Sequence, residues 1–388
     1  MVHTRTAFLK YSRFFSRSGS GFKAMIPANR VCKGSDDLFL EQILETAINE
    51  KASDIHLTVG VPPIARVNGR LLHMGDELLS AENTLDFAKQ ILGERLYETF
   101  LQNDGCDAAY AYKKKFYFRV NVFYQRNNCG IVMRLIPPQI PTLEKLKLPD
   151  IFRTLCMKRR GLILITGPTG SGKTTTLAAM IDYMSRMRNE HIITIEDPIE
   201  YVFSHGSGIV NQRQLGSDTK SFSSAIHNAL REDIDIIMVG EMRDLATISA
   251  AITAAETGHL VLSTLHTIGA AKTVDRIIDV FPAEQQAQIR TQLGSVLEAV
   301  VSQQLVPNRQ NNGRELAFEV MIANHGILNL IREGKTGQIS NLMQLNSGEG
   351  MQTMDQSLLS LFKSGRIGEQ TLLKFCVDSQ EVSRLIGV

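Results

Sequence analysis

Three glycines, a lysine and a threonine stand close together in the segment GPTGSGKT, residues 167–174. At this spacing the glycines let the backbone curl so that its N–H groups converge on phosphate oxygens, and a following helix adds partial positive charge. Lys173 can then reach the β- and γ-phosphates of a nucleotide, and Thr174 can bind Mg²⁺. The pattern predicts a site for ATP or GTP formed by consecutive residues: Gly167, Pro168, Thr169, Gly170, Ser171, Gly172, Lys173, Thr174 and Thr175.

The residues on either side of this segment match the context that a phosphate-binding loop requires. Residues 162–165 are apolar, as in a buried strand, and residues 175–187 favour a helix. A strand before the loop and a helix after it distinguish a P-loop from a glycine-rich turn that binds nothing. We therefore interpret residues 161–176 as a P-loop.

Acidic and histidine side chains follow three other predicted strands. Strand 235–240 leads to Glu241 and strand 259–264 leads to His266. Strand 191–195 leads to an acidic turn that contains Glu196, Asp197 and Glu200. Because ligands bind outside the carboxyl ends of the strands in open parallel sheets, we expect these groups to converge on the edge that carries the P-loop.

The expected roles of these groups follow from phosphoryl transfer, where catalysis is mostly positioning and charge neutralisation. Glu241 is the best candidate to polarise an attacking water. Glu200 is the preferred acid for the Mg²⁺ shell, with Glu196 and Asp197 as further candidates, and His266 could hold the γ-phosphate side. The sequence also offers cationic side chains that it does not rank: Arg231, Arg243 and Arg276.

Length and composition describe a globular chain. The 388 residues are 43% hydrophobic and 21% charged, which favours two or three domains. No apolar run approaches the eighteen or so residues that span a bilayer, and no signal-peptide pattern is present, so we expect a cytoplasmic protein. The five cysteines include no C-x-x-C pair and indicate neither a disulfide framework nor a zinc site.

Charge is distributed unevenly along the chain. Residues 1–34 contain seven lysines and arginines and no acid, whereas the remainder holds 35 basic and all 40 acidic residues. This balance argues against a broad basic surface for nucleic acid. We expect residues 1–35 to be a disordered basic leader, with Met25 as an alternative start. The other interpretation is an amphipathic helix over 5–17 that lies on an anionic membrane.

The remaining chain divides into a smaller and a larger α/β part. The hairpin signal Asn68-Gly69 lies in the smaller part, between helical patterns. Prolines break regular structure between the two parts. The predicted organisation is a small α/β domain at 36–136, a linker at 137–149, and a nucleotide domain with a helical C-terminal part at 150–388.

Two arginines of the smaller domain lie in otherwise apolar strands. Arg119 projects from a strand whose other face is apolar, and Arg134 interrupts the apolar run 131–136. Because an unpaired charge there is costly, each arginine either forms a structural salt bridge or is presented to an anion across a domain or subunit boundary. Composition alone favours the salt bridge for Arg134.

Several longer stretches of the sequence carry a specific resemblance. These are ASDIHL (52–57), FRVNVFYQR (118–126), IEDPIEY (195–201), QRQLGSDT (212–219), ALREDIDIIMVGEMRD (229–244), AAETGHLVLSTLHT (254–267), DRIIDVFPAEQQ (275–286) and GMQTMDQSL (350–358). Together they resemble the PilT-like retraction ATPases of type IV pili, a branch of the secretion ATPase superfamily. The resemblance runs from about residue 36 to 370 and covers both predicted domains.

The resemblance implies a PAS-like N-terminal domain, a P-loop RecA-like ATPase domain and a homo-hexameric ring. It places the family's functional elements on residues of this chain: the Asp box on 196–200, Walker B on Gly240 and Glu241, the His box on His266, and interfacial arginines on Arg119 and Arg134, with Arg160 as a further candidate. An arginine finger delivered from a neighbouring subunit would explain the setting of Arg134. The resemblance therefore reverses the preference for a salt bridge there.

The function that this resemblance implies is pilus retraction, and hence twitching motility. The ring would hydrolyse ATP with Mg²⁺ and turn an inner-membrane platform protein, so that pilin subunits return to the membrane. It would act in the cytoplasm, peripheral to the inner membrane at the base of the pilus machine. A paralogous retraction ATPase is a further candidate partner, and no nucleic acid is expected.

Other functions remain as alternatives. The nearest is an accessory retraction ATPase that works with a main motor. Pilus-extension and type II secretion ATPases usually carry a longer N-terminal region and a four-cysteine motif, which this sequence does not show. A nucleic-acid translocase would need a basic channel, and a non-hydrolysing assembly protein is disfavoured by the set Lys173, Glu200 and Glu241. The family's C-terminal AIRNLIRE element is altered here, with Gly326 and Leu328 in place of alanine and arginine.

Overall fold

A computed structural model describes residues 25–26, 36–137 and 139–387. Apart from residues 25 and 26, the predicted basic leader and the alternative helix over 5–17 lie outside the described residues. Contacts group the described chain into two compact units. One unit contains the residues up to 106 together with 120–135, and the other contains 107–119 together with 136–387. The predicted domain boundaries at 136 and 150 stay predictions.

Among the described residues, the N-terminal sheet has seven strands in the order β1-β4-β3-β2-β7-β6-β5. Its strands are β1 (Met25–Ile26), β2 (Asp54–Thr58), β3 (Ile64–Val67), β4 (Arg70–Met74), β5 (Gly105–Tyr112), β6 (Phe116–Gln125) and β7 (Asn128–Leu135). Asn68 and Gly69 join β3 to β4 with φ angles of 49° and 80°. Two consecutive residues in this left-handed region form the tight turn that the Asn-Gly pair predicts, so the predicted hairpin is confirmed.

In the described ranges these strands are accompanied by two helices, α1 (Asp36–Asn49) and α2 (Ala81–Gln102). Helix α1 buries Leu40 together with Ile43 and Leu44, which follow it by three and four residues on the same face. Helix α2 begins with a capping box between Ser80 and Asn83, which satisfies backbone donors at its first turn. The apolar faces of both helices contribute to the buried core of the N-terminal part.

The C-terminal sheet also has seven strands, in the order β10-β9-β11-β12-β8-β13-β14. Its strands are β8 (Gly161–Thr166), β9 (His191–Glu196), β10 (Ile209–Gln214), β11 (Ile236–Val239), β12 (Leu260–Leu265), β13 (Leu297–Pro307) and β14 (Arg314–Ile322). All neighbouring pairs are parallel except β13 with β14, which is antiparallel. Strands β8, β11 and β12 are buried throughout because helices cover both faces of a parallel sheet.

The helices around this sheet and beyond it are α3 (Ile151–Cys156), α4 (Lys173–Met187), α5 (Phe222–Ala229), α6 (Leu245–Glu256), α7 (Ala270–Asp279), α8 (Ala283–Val296), α9 (His325–Arg332), α10 (Ile339–Leu345), α11 (Met354–Lys363), α12 (Glu369–Phe375) and α13 (Ser379–Ile386). Two 3₁₀ turns occur at Thr336–Gln338 and Ser347–Glu349. One apolar core lies on each side of the sheet, and a smaller core joins α11, α12 and α13 to β13 and β14. The predicted α/β class is confirmed by this architecture.

Candidate functional site

The P-loop lies between β8 and α4, where the sequence predicts it. Gly167, Gly170 and Gly172 have φ angles of 139°, 77° and 92°, which side chains rarely adopt. A Cβ atom on Gly167 would also stand 2.2 Å from the backbone oxygen of Gln303. The loop therefore requires glycine at these positions for steric reasons, and its fold is that of a phosphate-binding loop.

Lys173 is the buried cation of the loop, with only 7% of its surface exposed. Its Nζ donates to the backbone oxygens of Gly167 and Pro168 at 2.8 and 3.0 Å. Burial lowers the pKa of Lys173, and the nearby charges of Glu241 and Glu200 oppose that shift. The predicted lysine and two of the predicted carboxylates are thus brought close enough to interact electrostatically.

Glu241 follows β11 and is fixed through its neighbours on β12. Thr264 donates its hydroxyl to the oxygen of Gly240 at 2.6 Å, and the N–H of Met242 donates to the oxygen of Thr264 at 3.0 Å. The carboxylate itself is 2.7 Å from Nε of Arg243, with only 15% of its side chain exposed. Of the three arginines left unranked by the sequence, Arg243 is therefore the one that contacts a predicted catalytic acid.

His266 follows β12 and connects Glu241 to the P-loop. Its Nε2 is 3.4 Å from Oε2 of Glu241, and its Nδ1 is 3.4 Å from the hydroxyl oxygen of Thr169. Both distances are at the outer limit of hydrogen bonding. The expected convergence of the P-loop, the β11 carboxylate and the β12 histidine on one edge of the sheet agrees with this geometry.

The three carboxylates of the acidic turn at the end of β9 differ in how deeply they are buried. Glu196 is 4% exposed and accepts hydrogen bonds from the Thr194 hydroxyl at 2.7 Å and the Gln212 amide at 3.0 Å. Its other oxygen is 3.4 Å from the N–H of Glu200. Burial raises the pKa of Glu196, and these donors oppose the shift. Glu196 therefore holds the turn, whereas Asp197 and Glu200 are exposed.

The hydroxyl groups at the start of α4 differ in their contacts. Thr175 lies 3.1 Å from the hydroxyl of Tyr201, and Thr174 is half-buried. Within the described ranges no cluster of three or more histidine, cysteine or acidic side chains has the arrangement of a metal site. The Thr174 hydroxyl and the exposed Glu200 stay the predicted Mg²⁺ ligands, which would share the ion with oxygens of the substrate phosphates.

Arg134 is paired with a buried acid on the neighbouring strand. Its Nε donates to Oδ1 of Asp54 at 2.8 Å, and Nε of Arg66 is 3.8 Å from Oδ2 of the same carboxylate. Burial alone would raise the pKa of Asp54, but the hydrogen bonds from Arg134 and Ser53 outweigh it and lower the pKa. The Arg134 side chain is still 67% exposed, so the apolar run does not bury this charge.

Four other predicted arginines have different surroundings. Arg119 is half-buried on β6, between the buried Phe118 and Val120. Arg160 is exposed immediately before β8, and Arg231 and Arg276 are exposed as well. The structure places none of these four arginines in an ion pair with the predicted catalytic acids in the part of the chain that it describes.

The sequence interpretation missed the strand that supports the loop from behind. Gln303 on β13 donates its amide to the Thr176 hydroxyl at 2.9 Å, 127 residues away in sequence. The backbone oxygen of the same glutamine faces Gly167. Nothing in the sequence around Gln303 signals this role, because it depends on β13 pairing with β8.

A cavity of about 490 Å³ adjoins the P-loop and the start of α4. Ser171, Gly172 and Thr175 border it on one side, and Leu316 and Phe318 of β14 on another. The buried Ser171 hydroxyl has no partner in the described chain. The glycine-rich loop, the buried Lys173 and an adjoining cavity of this size together fit a nucleoside phosphate.

Comparison with known proteins places these features in a family. The family described as Type II/IV secretion system protein matches residues 35–350. The type IV pilus retraction ATPase PilT of Pseudomonas aeruginosa is 44% identical over 85% of this chain and 96% of its own length. The type IV pilus ATPase PilU of the same species is 41% identical over 89% and 91%, respectively.

The fold agrees with a solved structure of the same group. The crystal structure of the pilus retraction motor PilT with bound ADP is 46% identical, covers 88% of this chain and 98% of that chain, and has a TM-score of 0.82. In the described ranges, none of the helices combines the length and apolar composition that crossing a bilayer requires. The predicted secretion ATPase assignment is confirmed, and this chain belongs to the type II/IV secretion system protein family, in its pilus retraction branch.

Proposed function

We propose that this chain is the subunit of an ATP-hydrolysing motor that powers type IV pilus retraction. The similarity to the ADP-bound retraction motor carries this proposal, because it extends over nearly all of that protein. The assembled P-loop, Glu241 and His266 support hydrolysis rather than nucleotide binding alone. The proposal includes a homo-hexameric ring that acts on an inner-membrane platform protein from the cytoplasmic side.

In this proposal Lys173 and the loop glycines bind the phosphates of ATP. The Lys173 ammonium already lies between two loop carbonyl oxygens, and phosphate oxygens attract it more strongly because they are charged. Thr174 and Glu200 would hold Mg²⁺, which neutralises phosphate charge when bound. Glu196 acts indirectly by holding the turn that carries Glu200, and exposed Asp197 is a further candidate for the outer shell.

Glu241 orients and polarises the attacking water, and His266 bridges its carboxylate to the loop at Thr169. Arg134, with Arg119 as second candidate, supplies positive charge from a neighbouring subunit. The pairing of Arg134 Nε with Asp54 supports this role, because it fixes one edge of the guanidinium while most of the side chain stays exposed. We also propose the domains 36–136 and 150–388 as the two parts that such a ring would move.

A second candidate is an accessory retraction ATPase that works with a main one. The comparable identity to PilU supports this alternative, since 41% and 44% identity do not separate the two branches. The principal and accessory roles share the same site chemistry. They differ in whether retraction still occurs when this chain is inactive.

The test is to replace the chromosomal gene with one that encodes Lys173→Ala, and to count and film surface pili. We expect more pili per cell and loss of shortening, and normal shortening with Lys363→Ala, which removes an exposed lysine at the end of α11. Normal shortening with Lys173→Ala would favour the accessory role. Cells without pili would instead indicate extension, and DNA-stimulated hydrolysis by the purified protein would indicate a translocase.

A further inference from the structure

Two side chains from the C-terminal hairpin anchor the turn that follows His266. Ser302 on β13 and Glu319 on β14 stand directly opposite each other in the antiparallel pair. The Ser302 hydroxyl accepts from the N–H of Gly269 at 2.9 Å, and Oε1 of Glu319 accepts from the N–H of Ala270 at 2.6 Å. These are the residues at which α7 begins, three and four positions after His266.

The start of α7 depends on these anchors, because the helix has no side-chain cap of its own. Its N-cap residue is Gly269, which has no side chain to accept from the first turn. Helix N-termini leave several backbone N–H groups without a partner inside the helix. Glu319 and Ser302 satisfy two of them from another element, so the position of the turn is set by the β13–β14 hairpin.

Glu319 is an acid in an unusual setting for a mere helix cap. It is 8% exposed and forms no ion pair with any lysine, arginine or histidine in the described ranges. Its second oxygen lies 3.4 Å from the N–H of Met354, the first residue of α11. Burial raises the pKa of Glu319, and the N–H groups of Ala270 and Met354 oppose the shift. One carboxylate thus contacts the N-termini of two ten-residue helices.

His266 is sensitive to small displacements of this turn. Its ring nitrogens lie 3.4 Å from Glu241 and from Thr169, so a shift of a few tenths of an ångström decides whether hydrogen bonds form. A misplacement of about 1 Å near a catalytic group can cost a hundredfold in rate. The anchors of the turn therefore bear on hydrolysis through the position of His266.

We propose that Glu319 is a positioning residue for ATP hydrolysis, which fixes the start of α7 and thereby holds His266 between Glu241 and Thr169. Through the N–H of Met354 it also ties this edge of the sheet to α11 in the C-terminal helical part. The inference rests on the role proposed above for His266. It assigns a function to a buried acid that neither the P-loop nor the predicted acidic turn includes.

The test is a double-mutant cycle between Glu319→Gln and His266→Ala, measured as kcat and KM for ATP. The amide keeps one acceptor oxygen but turns a donor toward one of the two backbone N–H groups. We expect Glu319→Gln alone to lower kcat by roughly tenfold or more, the lower end of the range for residues that orient catalytic ligands, with little change in KM. In the His266→Ala background, Glu319→Gln should not lower kcat further, because Glu319 acts only by positioning the histidine that is then missing.

Asp378→Asn is the matched control. Asp378 also accepts from two helix N–H groups, at 3.0 and 2.9 Å, but in the exposed α13 of the C-terminal part. Its amide variant should keep kcat. Thermal melting followed by circular dichroism verifies folding, and if Glu319→Gln does not fold, Ser302→Ala removes the neighbouring anchor and should reproduce the fall in kcat.

Two results overturn the inference while the proposed function stands. One is an unchanged kcat in folded Glu319→Gln, and the other is the same fold-loss from Glu319→Gln in both backgrounds, which indicates a purely structural role. A different result, unchanged kcat in His266→Ala alone, would remove the proposed role of His266 and the inference with it. The experiment thus distinguishes a wrong role for Glu319 from a wrong role for His266.

Discussion

Replacing Glu241 by glutamine separates catalysis from stability and from nucleotide binding. The change removes the charge but keeps the shape of the side chain. The ion pair with Arg243 is therefore weakened, while no cavity is created in the protein. Because the Arg243 side chain is 71% exposed, that ion pair contributes at most about 1 kcal/mol to the free energy of unfolding. Loss of a group that polarises the attacking water has a larger effect, but on the activation free energy of hydrolysis. It slows the reaction on the order of a hundredfold, which corresponds to about 2.7 kcal/mol.

The assay measures ATP affinity, single-turnover hydrolysis and the unfolding midpoint of purified Glu241→Gln. We expect hydrolysis to fall by roughly a hundredfold or more, while ATP affinity and the midpoint stay close to those of the unmodified protein. Glu232→Gln is the matched control, because Glu232 is a partly exposed acid paired with Arg213 at 2.8 Å and lies outside the predicted site. Equal losses of affinity and rate would refute the water-polarising role and make Glu241 a metal ligand.

Two further predictions concern the arginine and the acidic turn. Rings that mix Lys173→Ala chains with Arg134→Ala chains should regain ATPase activity, because some interfaces then pair an intact P-loop with an intact arginine. If mixtures that are shown to co-assemble have no activity, Arg134 acts within its own chain. Glu196→Gln should slow hydrolysis through Glu200. Burial raises the folded-state pKa of Glu196 above the value of about 4.5 that applies in the unfolded chain. Its contribution to stability is therefore complete below about pH 4.5 and is lost as the pH rises through the folded-state pKa. Urea unfolding should accordingly show the smallest stability difference between Glu196→Gln and the unmodified protein at high pH, and a pH-independent difference would contradict this.

The phosphate-binding part of the site was predictable because its chemistry is local. A strand, three glycines, Lys173 and a helix follow one another within sixteen residues, and the backbone conformations that they require are set by residue type. The same holds for the Asn68-Gly69 hairpin, where both φ angles are positive. Such features depend on neighbours in sequence, and therefore a single sequence can indicate them.

The missed parts depend on pairing between distant segments. Strands β10, β13 and β14 were not predicted, although β13 carries both Gln303 behind the P-loop and Ser302 behind α7. Arg134 shows the same limit in another way. Its apolar neighbours suggested a buried charge, but alternation along β7 turns its side chain outward, and its acid partner Asp54 lies 80 residues earlier on β2.

The altered element near the C-terminus keeps the contacts that anchor its helix, α9. A Cβ atom on Gly326 would stand 2.8 Å from Cδ2 of Leu342, so alanine at this position would require the Leu342 side chain on α10 to move. Ile331 in the same helix remains fully buried, and Arg332 donates to the backbone oxygen of Gly294 on α8.

The second change in this element alters its surface instead. Leu328 packs against the edge of the apolar core, at a position where the resemblance to the retraction ATPases implies an arginine. The substitution therefore removes a charge from the surface of α9 while the buried residues that fix the helix stay in place. Any difference from the related motors should lie in what this side of α9 contacts, because a half-buried leucine stands there instead of a charge.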